Sequence, residues 1–389
     1  MDVYTAPMDL IKKNKLFLLF SIIAVVGSAC NSAKSNSDAK IDTLDWKETP
    51  NTYAHNFAIQ KAGEDHTRIL VFADRTRQDT LSKLYTGKLE LTNSSYIAID
   101  SVTQIASLAT TYVGFLDAIN SANYLRFVDE YDYVYSKRVK KLIETNKIQE
   151  CGGGDQLNYE AFLTSKPLVF AYQIEGGSAN IINRLQELNI PVLNCTDFKE
   201  SSPLGRAEWL KVFGLITKKS DAAENLFKEI EEHYTQTQYF CSTLKTKPTV
   251  FSGSLFSGVW NVSGGKSFLA QMIKDAGGTY EFANDTSELN IVLSFEKVFL
   301  TCKSTDVWLN PSYYQTTKEI LQEDERYGLF SAFKNHRVYN NTKLQNGVSG
   351  NAYWEMGVVR PDIVLKDIAQ CLHPAIFQGN TTIFYQAVE

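Results

Sequence analysis

The sequence predicts an α/β protein built from two similar lobes that are joined by a long helix. Two observations lead to this architecture. Residues 203–240 carry apolar side chains at helical spacing, and the chain on either side of them repeats one order of strands and helices. Because strands that alternate with helices are typical of a parallel sheet covered on both faces, each repeat predicts one Rossmann-like lobe.

The long helix is predicted from its start signal and its apolar spacing. Ser202 followed by Pro203 favours a helix start, because a hydroxyl can cap the first N–H groups and proline fits the first turn. Gly214 and Thr217 indicate a joint between two helices rather than one unbroken rod. The apolar positions of the second half are Ala223, Leu226, Phe227, Ile230 and Tyr234.

The repeat is clearest in residues 158–172 and residues 294–309. In each segment a short helix leads into an apolar strand, and a further helix and strand follow. The alternative is that the two segments are unrelated and look alike only because any two α/β stretches share this alternation of helix and strand. The predicted organisation is a signal peptide at residues 1–30, a flexible tether at 31–50, an N-terminal lobe at 51–200, a linker helix region at 201–240 and a C-terminal lobe at 241–389.

Composition places the chain among folded proteins that do not bind nucleic acid. Its 389 residues can form two domains of ordinary size, and 44% of them are hydrophobic. The net charge is −5, and no block of lysine or arginine stands out.

The N-terminus predicts export. Lysines precede the apolar residues 16–26, and small residues then lead to Cys30, the order found in a secretory signal. Eleven apolar residues span roughly 16 Å as a helix, about half of a bilayer core, so we expect cleavage rather than a membrane span. We predict a lipoprotein acylated at Cys30 after cleavage; plain cleavage with Cys30 incidental is the alternative.

The other five cysteines match neither a disulfide framework nor a zinc pattern, since they have no short spacing. We expect them to be small buried residues, with one bridging pair left open. Gly152-Gly153-Gly154 lacks the spacing of a dinucleotide fingerprint. Gly265-Lys266-Ser267 lacks the earlier glycine of a phosphate-binding loop, so we interpret Ser267 as a helix cap.

Aromatic residues collect in the loops that follow predicted strands. In a parallel sheet, ligands bind outside the carboxyl ends of the strands, so these loops are candidate pocket walls. The stretch at residues 100–103 is a further candidate edge. The loop aromatics are Trp260, Tyr313, Tyr314, Tyr353 and Trp354.

The order of several short motifs resembles a known family, the substrate-binding proteins of bacterial ABC importers for iron–siderophores and cobalamin. The resemblance covers about residues 95–375. The motifs are Asn158-Tyr159-Glu160 before Lys166-Pro167-Leu168-Val169, Ser263-Gly264-Gly265-Lys266-Ser267, Asp275-Ala276-Gly277-Gly278, and Val359-Arg360-Pro361-Asp362. The resemblance implies a ligand held in a cleft between two lobes, and a stiff helical link implies small closure.

On this hypothesis the ligand is a bulky metal chelate: a ferric siderophore, cobalamin or, as a third option, haem. Its flat face would stack on aromatic rings, each contributing about 0.5–1.5 kcal/mol. Arg360 could reach an anionic chelate or be structural at its helix start. The predicted ligand contacts are Tyr172, Phe256, Trp260, Tyr313, Trp354 and Arg360.

The resemblance also implies partners. The loaded protein, a monomer anchored by lipid in the periplasm, would dock on an ABC permease that works with its ATPase subunits. Family members use one acidic residue per lobe, and Glu175 and Glu319 are nearest to those positions. Ordinary solvated glutamates are the alternative reading of both residues.

Other functions remain as alternatives. Capture of a bare metal ion needs clustered ligands, whereas the five histidines are scattered along the chain. A hydrolase would show Gly-x-Ser-x-Gly, and a redox enzyme would show paired cysteines, so we expect no enzyme, no catalytic residue and no resident cofactor. A ligand-sensing lipoprotein that is not coupled to transport stays possible.

Overall fold

The computed structural model describes residues 36–172, 179–347 and 350–389. The α-helices are α1 (Asn36–Asp42), α2 (Thr110–Ala118), α3 (Lys137–Glu144), α4 (Tyr159–Ser165), α5 (Ala179–Glu187), α6 (Pro203–Glu208), α7 (Leu210–Ile216), α8 (Ser220–Ser242), α9 (Phe268–Asp275), α10 (Phe295–Cys302), α11 (Thr317–Glu323), α12 (Ser331–Lys334) and α13 (Pro361–Leu372). A π-helix, Tyr353–Gly357, precedes α13.

The strands form four sheets. They are β1 (Lys47–Thr49), β2 (Phe57–Ala62), β3 (His66–Phe72), β4 (Thr80–Thr86), β5 (Ile97–Ala98), β6 (Ile105–Ser107), β7 (Leu125–Val128), β8 (Gln149–Glu150), β9 (Leu168–Ala171), β10 (Val192–Asn194), β11 (Thr249–Ser252), β12 (Ser254–Phe256), β13 (Val259–Ser263), β14 (Thr279–Tyr280), β15 (Asn290–Leu293), β16 (Val307–Leu309), β17 (Val338–Asn340) and β18 (Gln386–Ala387).

Two of the sheets are parallel and lie on opposite sides of the long helix in the sequence. The first has the order β10-β9-β6-β7-β8, and all its pairings are parallel. The second has the order β14-β11-β16-β17-β18, with only β18 antiparallel. The interior strands β9 and β16 are buried at every residue, as expected of strands covered on both faces. The predicted two-lobe α/β fold is therefore confirmed.

Three consecutive helices, α6 to α8, connect the two parallel sheets. The Ser202 hydroxyl accepts a hydrogen bond from the Gly205 N–H at 3.3 Å, and Pro203 occupies the first turn of α6. Gly214 lets α7 approach α8 closely, because a Cβ there would lie 2.5 Å from that of Ala223. The connection is thus jointed, as predicted, and ends in the 23-residue helix α8.

An antiparallel sheet of strands β1 to β4, with β5 added in parallel at its edge, precedes the first parallel sheet. It is attached to that lobe through Ser82, whose hydroxyl accepts the Asn194 N–H at 3.0 Å. The apolar residues at 96–99, read from sequence alone, predict a strand that starts the α/β unit. That prediction is wrong, because β5 pairs with β4 of the antiparallel sheet and the parallel sheet begins only at β6.

The tether predicted for residues 31–50 does not extend through its described part. Residues 36–42 form α1, which buries Ile41 completely and places Asp42 3.4 Å from Arg68. The Arg68 guanidinium also lies 4.5 Å from the centre of the Trp46 ring. These contacts make residues 36–50 part of the N-terminal sheet region, so the prediction of a flexible segment there was wrong.

Two buried carboxylates fix the segment that leads into β2. Glu208 of α6 accepts the backbone N–H groups of Thr52, Tyr53 and Ala54 at 2.8–2.9 Å. Glu200, just before α6, accepts those of His55 and Asn56. Five successive N–H groups in a non-repetitive segment therefore have partners, all supplied by α6 and the residues just before it.

The remaining core features are apolar. The five described cysteines are buried and unpaired, in agreement with their prediction as small buried residues. Burial in apolar surroundings raises the pKa of the Cys151 thiol to about 12, which leaves it unreactive. Within the described residues, no helix is both long enough and apolar enough to cross a membrane.

Replacing Glu208 by alanine tests the role of the buried carboxylates. The change leaves three backbone N–H groups, that of Ala54 buried, and the Lys211 ammonium, 2.8 Å away, without their partner. We expect a loss of about 3–5 kcal/mol in the free energy of unfolding, measured by urea denaturation. Glu224→Ala, at an exposed position of α8, should change it by about 0.5 kcal/mol or less. A loss below about 1 kcal/mol in Glu208→Ala would contradict this account.

Candidate ligand cleft between the two lobes

A cleft of about 1220 Å³ lies between the two lobes. One wall comes from the N-terminal sheet and from the loop after β10, and includes His55, Arg75 and Phe198. The other wall comes from the β12–β13 hairpin and from the loops after β11 and β16. It includes Asn261 and Tyr313. The loops after β11 and β16 leave the carboxyl ends of parallel strands, where ligands usually bind in such sheets.

The β12–β13 hairpin gives the C-terminal wall its polar surface. Ser257 and Gly258 both have positive φ, 51° and 81°, which matches a tight two-residue hairpin turn. Side chains alternate along β13, so Asn261 and Ser263 line the cleft while Trp260 points into the core. The wall therefore offers amide and hydroxyl groups beside its aromatic rings.

Three exposed aromatic rings line the cleft. Phe256 at the hairpin is 73% exposed, Tyr313 after β16 is 74% exposed and Trp354 of the π-helix is 51% exposed. Trp354 is held edge-on to Tyr353, with the ring centres 4.9 Å apart. The structure thus brings these three predicted residues together on the cleft wall; their contact with a ligand stays a prediction.

The other predicted contacts lie elsewhere. Trp260 is fully buried, and its indole N–H donates to the Ser252 carbonyl at 3.1 Å, so its assignment as a ligand contact was wrong. The sequence placed it in a loop, whereas it belongs to an alternating strand. It packs within the aromatic core of the C-terminal lobe, whose other rings are Phe251, Phe295, Trp308, Tyr327 and Phe330.

Tyr172 and Arg360 do not line the cleft either. Tyr172 packs against Phe198, with ring centres 6.0 Å apart, and Phe198 rather than Tyr172 lines the cleft. Arg360 lies 2.7 Å from Asp362 and 3.0 Å from Glu229, which raises the pKa of its guanidinium further. These ion pairs identify Arg360 as a structural residue at the start of α13, the second of the two roles considered for it.

The N-terminal wall carries most of the charge. Arg206 pairs with the buried Asp197 at 2.9 Å, and the Lys199 ammonium donates to the Ala73 carbonyl at 3.1 Å. Hydrogen bonds from Thr76 lower the pKa of the Asp74 carboxyl. Sequence reasoning missed this wall, because nothing in an antiparallel sheet marks its loops as ligand contacts.

The candidate edge predicted at residues 100–103 does not line this cleft. Asp100 instead accepts a hydrogen bond from the Thr86 hydroxyl at 2.7 Å.

Beside Trp354, the π-helix joins the C-terminal lobe to the N-terminal lobe. The fully buried Glu355 carboxylate accepts the N–H groups of Tyr135 and Ser136 at 2.6 and 2.8 Å. Gly114 of α2 allows this approach, because a Cβ there would lie 1.8 Å from the Glu355 carbonyl oxygen. Burial raises the pKa of the Glu355 carboxyl to about 7, against the lowering effect of the two N–H groups.

The predicted docking and lipidation residues stand apart from the cleft. Glu319 is exposed near the start of α11, where its carboxylate accepts the Gln315 and Thr316 N–H groups and completes a capping box with Thr316. Those bonds lower the pKa of its carboxyl. Glu175 and Cys30 lie outside the described residues. Among the described residues, no group of three or more His, Cys, Asp or Glu side chains could hold a metal ion.

Comparison with known proteins identifies relatives. The sequence profile of the periplasmic binding protein family matches residues 105–343. An uncharacterised lipoprotein of Methanocaldococcus jannaschii is 25% identical over 338 residues, covering 82% of this chain and 78% of that protein. The profile match starts at the first residue of β6, so the preceding antiparallel sheet lies outside it.

Solved structures share the fold. A possible iron-binding periplasmic solute-binding protein from Staphylococcus epidermidis aligns with a TM-score of 0.55 and 18% identity, covering 70% of this chain and 98% of that one. A periplasmic heme-binding protein from Pseudomonas aeruginosa aligns with a TM-score of 0.55 and 13% identity, covering 74% and 98%. A periplasmic binding protein from Veillonella parvula aligns with a TM-score of 0.56 and 13% identity, covering 82% of this chain and 94% of that one.

The buried Glu355 predicts a pH dependence of stability. Its pKa is about 7 in the folded protein and near 4.5 when exposed, so the folded state binds the proton more tightly. The free energy of unfolding should therefore fall as pH rises from about 4.5 to 7, by up to about 3 kcal/mol from this group. Glu355→Gln should lack this contribution, whereas the exposed control Glu144→Gln should follow the wild type. Parallel pH profiles for the wild type and Glu355→Gln would contradict the assignment.

Proposed function

Because the chain belongs to the periplasmic binding protein family, we propose that it is the substrate-binding lipoprotein of an ABC importer. In this role it captures a bulky metal chelate, a ferric siderophore or cobalamin or, as a third option, haem, between its lobes. It then delivers the chelate to a membrane permease. The observation that carries the proposal is the large cleft between the lobes, lined by three exposed aromatic rings.

The size and the chemistry of the cleft favour a large, flat ligand. Its volume of about 1220 Å³ exceeds the roughly 300–1,000 Å³ of pockets for drug-sized molecules. Phe256, Tyr313 and Trp354 offer faces on which a macrocycle or a catecholate can stack. The amide and hydroxyl groups of Asn261 and Ser263 would orient the polar edge of the same ligand.

Two alternatives are kept as outcomes of the tests. A bare metal ion would need convergent ligands, and the described residues hold no such group. The names of two structural relatives, one possibly iron-binding and one heme-binding, agree with a chelate. A ligand-sensing lipoprotein would bind the same chelate without supporting its uptake. We assign no catalytic step, no catalytic residue and no resident cofactor.

We place the protein outside the cytoplasm, held to a membrane by lipid on Cys30 after removal of the signal segment that precedes this cysteine. The relative from Methanocaldococcus jannaschii is also named as a lipoprotein. Labelling with a palmitate analogue should mark the wild type and not Cys30→Ser. Equal labelling of both proteins would remove Cys30 from this account.

Aromatic truncation tests the cleft. We expect full-length protein in detergent to bind haemin, cyanocobalamin or a ferric catecholate siderophore, measured by titration of each in parallel. Tyr313→Ala and Trp354→Ala should each weaken binding by about 0.5–1.5 kcal/mol, a factor of roughly 2 to 13. Tyr239→Ala removes a ring that is 75% exposed on α8, away from the cleft, and should leave the affinity unchanged. Equal weakening by Tyr239→Ala, or no binding of any of the three, would overturn the proposal.

Charge removal at Glu175 and Glu319 tests docking. Glutamine at position 319 keeps the capping box while removing the charge, so helix α11 should be preserved. We expect Glu175→Gln combined with Glu319→Gln to reduce uptake of the bound chelate in cells and to leave its affinity unchanged, because exposed ion pairs set orientation and association rate. Glu323→Gln, at an exposed position of the same helix, is the control. Unchanged uptake in the double variant would exclude both residues from docking.

A further inference from the structure

Several polar contacts join the two lobes, and two of them differ clearly in kind. One is the buried set around Glu355, which accepts two backbone N–H groups of the N-terminal lobe. The other is an ion pair between Arg75, in the loop between β3 and β4, and Glu288, in the loop before β15. Their side chains are 61% and 38% exposed, and the closest atoms, Nη1 and Oε1, are 3.5 Å apart.

Arg75 projects from a loop that is braced on its own side of the cleft. The Asp74 carboxylate accepts the Thr76 N–H and hydroxyl at 2.8 and 2.6 Å, which fixes the turn. Arg77 donates to the His55 carbonyl at 3.0 Å and pairs with Glu48 at 2.7 Å. The loop is thus tied to the N-terminal sheet, while the Arg75 side chain reaches towards the other lobe.

Glu288 projects from a loop that is braced on the C-terminal lobe. The Gly264 N–H donates to the Leu289 carbonyl at 3.0 Å, and the Lys266 N–H donates to the Ser287 carbonyl at 3.0 Å. A Cβ on Gly264 would lie 2.4 Å from both carbonyl oxygens, so only glycine permits this packing. The glycine motif that resembled a phosphate-binding loop therefore serves to hold the Glu288 loop in place.

The ion pair stands between two cavities. Arg75, Ser201 and Glu288 line both the ligand cleft and a second cavity of about 790 Å³ that runs along α8. These three residues therefore lie at the boundary that the two cavities share.

We propose that the Arg75–Glu288 ion pair is a breakable bridge that holds the N-terminal sheet against the C-terminal lobe and closes the ligand cleft. Its opening sets the rate at which ligand enters and leaves. The second statement rests on the proposed function, whereas the first does not require a ligand.

The Glu355 contacts and the Arg75–Glu288 ion pair differ in burial and therefore in how easily they break. Glu355 is fully buried and bonds to the backbone, so it persists while the lobes move. An exposed ion pair contributes little to stability and is screened by salt, so it can break and re-form during function. Because both of its loops are braced, loss of the pair changes the separation of the lobes rather than the shape of either loop.

Distance measurements on the full-length protein in detergent test the bridge without ligand. A ketone-bearing amino acid would replace Gln78 and Thr286, which are both exposed. Spin labels attached to the two ketones would leave the native cysteines unlabelled. We expect one narrow distance distribution for the wild type at 0.1 M salt. It should be broader and shifted to longer distances in R75E and at 1 M salt, where the Debye length falls from about 10 Å to about 3 Å.

Restoring the opposite charges gives the decisive comparison. The double variant R75E with E288R should return to the narrow distribution, and K88E should not change it. Lys88 pairs with Asp65 at 2.7 Å within the N-terminal sheet, so it is a matched exposed pair that does not cross the cleft. A distribution in R75E identical to that of the wild type, or a double variant that stays broad, would overturn the bridge.

Haemin release then tests the exchange rate. We expect haemin to dissociate about two- to five-fold faster from R75A, and at the wild-type rate from the charge-swapped double variant. An unchanged rate in R75A would overturn the second half of the proposal. If haemin does not bind any variant, the control of haemin exchange is excluded, whereas the distance measurements still decide the bridge.

Discussion

The structure depends on five backbone N–H groups that have no partner in any helix or sheet. Residues 52–56 are non-repetitive, so their part-buried and buried N–H groups need partners from outside the segment. Glu208 of α6 and Glu200, just before α6, accept hydrogen bonds from all five. This places the N-terminal sheet beside the cleft, where His55 and Arg75 become part of its wall. A sheet that lies outside the family match thereby joins the site.

The architecture could be predicted from the sequence because helices and strands leave a regular spacing of apolar residues. The apolar spacing of α8 and the cap at Ser202 are local signals, and the structure reproduces both. The N-terminal sheet was only partly predicted, since β5 is two residues long and resembles the start of an α/β unit until its partner β4 is known. Residues 36–42 looked too polar to be ordered, but they lie against the sheet and bury only one large apolar side chain, Ile41.

The site was predicted less completely because a ligand wall is a tertiary arrangement. Phe256, Tyr313 and Trp354 were found from their loops, yet Trp260 carried the same signal and lies in the core. Successive side chains of a strand point to opposite faces of the sheet. Which residue faces the cleft therefore depends on where the strand begins and ends. The charged wall carried no local signal, because Arg75 gains its position through partners distant in sequence.

The account requires that the metal of a bound chelate lie between the lobes. Anomalous scattering at the iron or cobalt absorption edge, from crystals grown with the chelate that binds, locates that atom directly. We expect the peak inside the cleft, within stacking distance of the rings of Tyr313 and Trp354 and on the cleft side of Glu288. A peak on the outer surface of either lobe, with the cleft empty of ligand, would contradict the account.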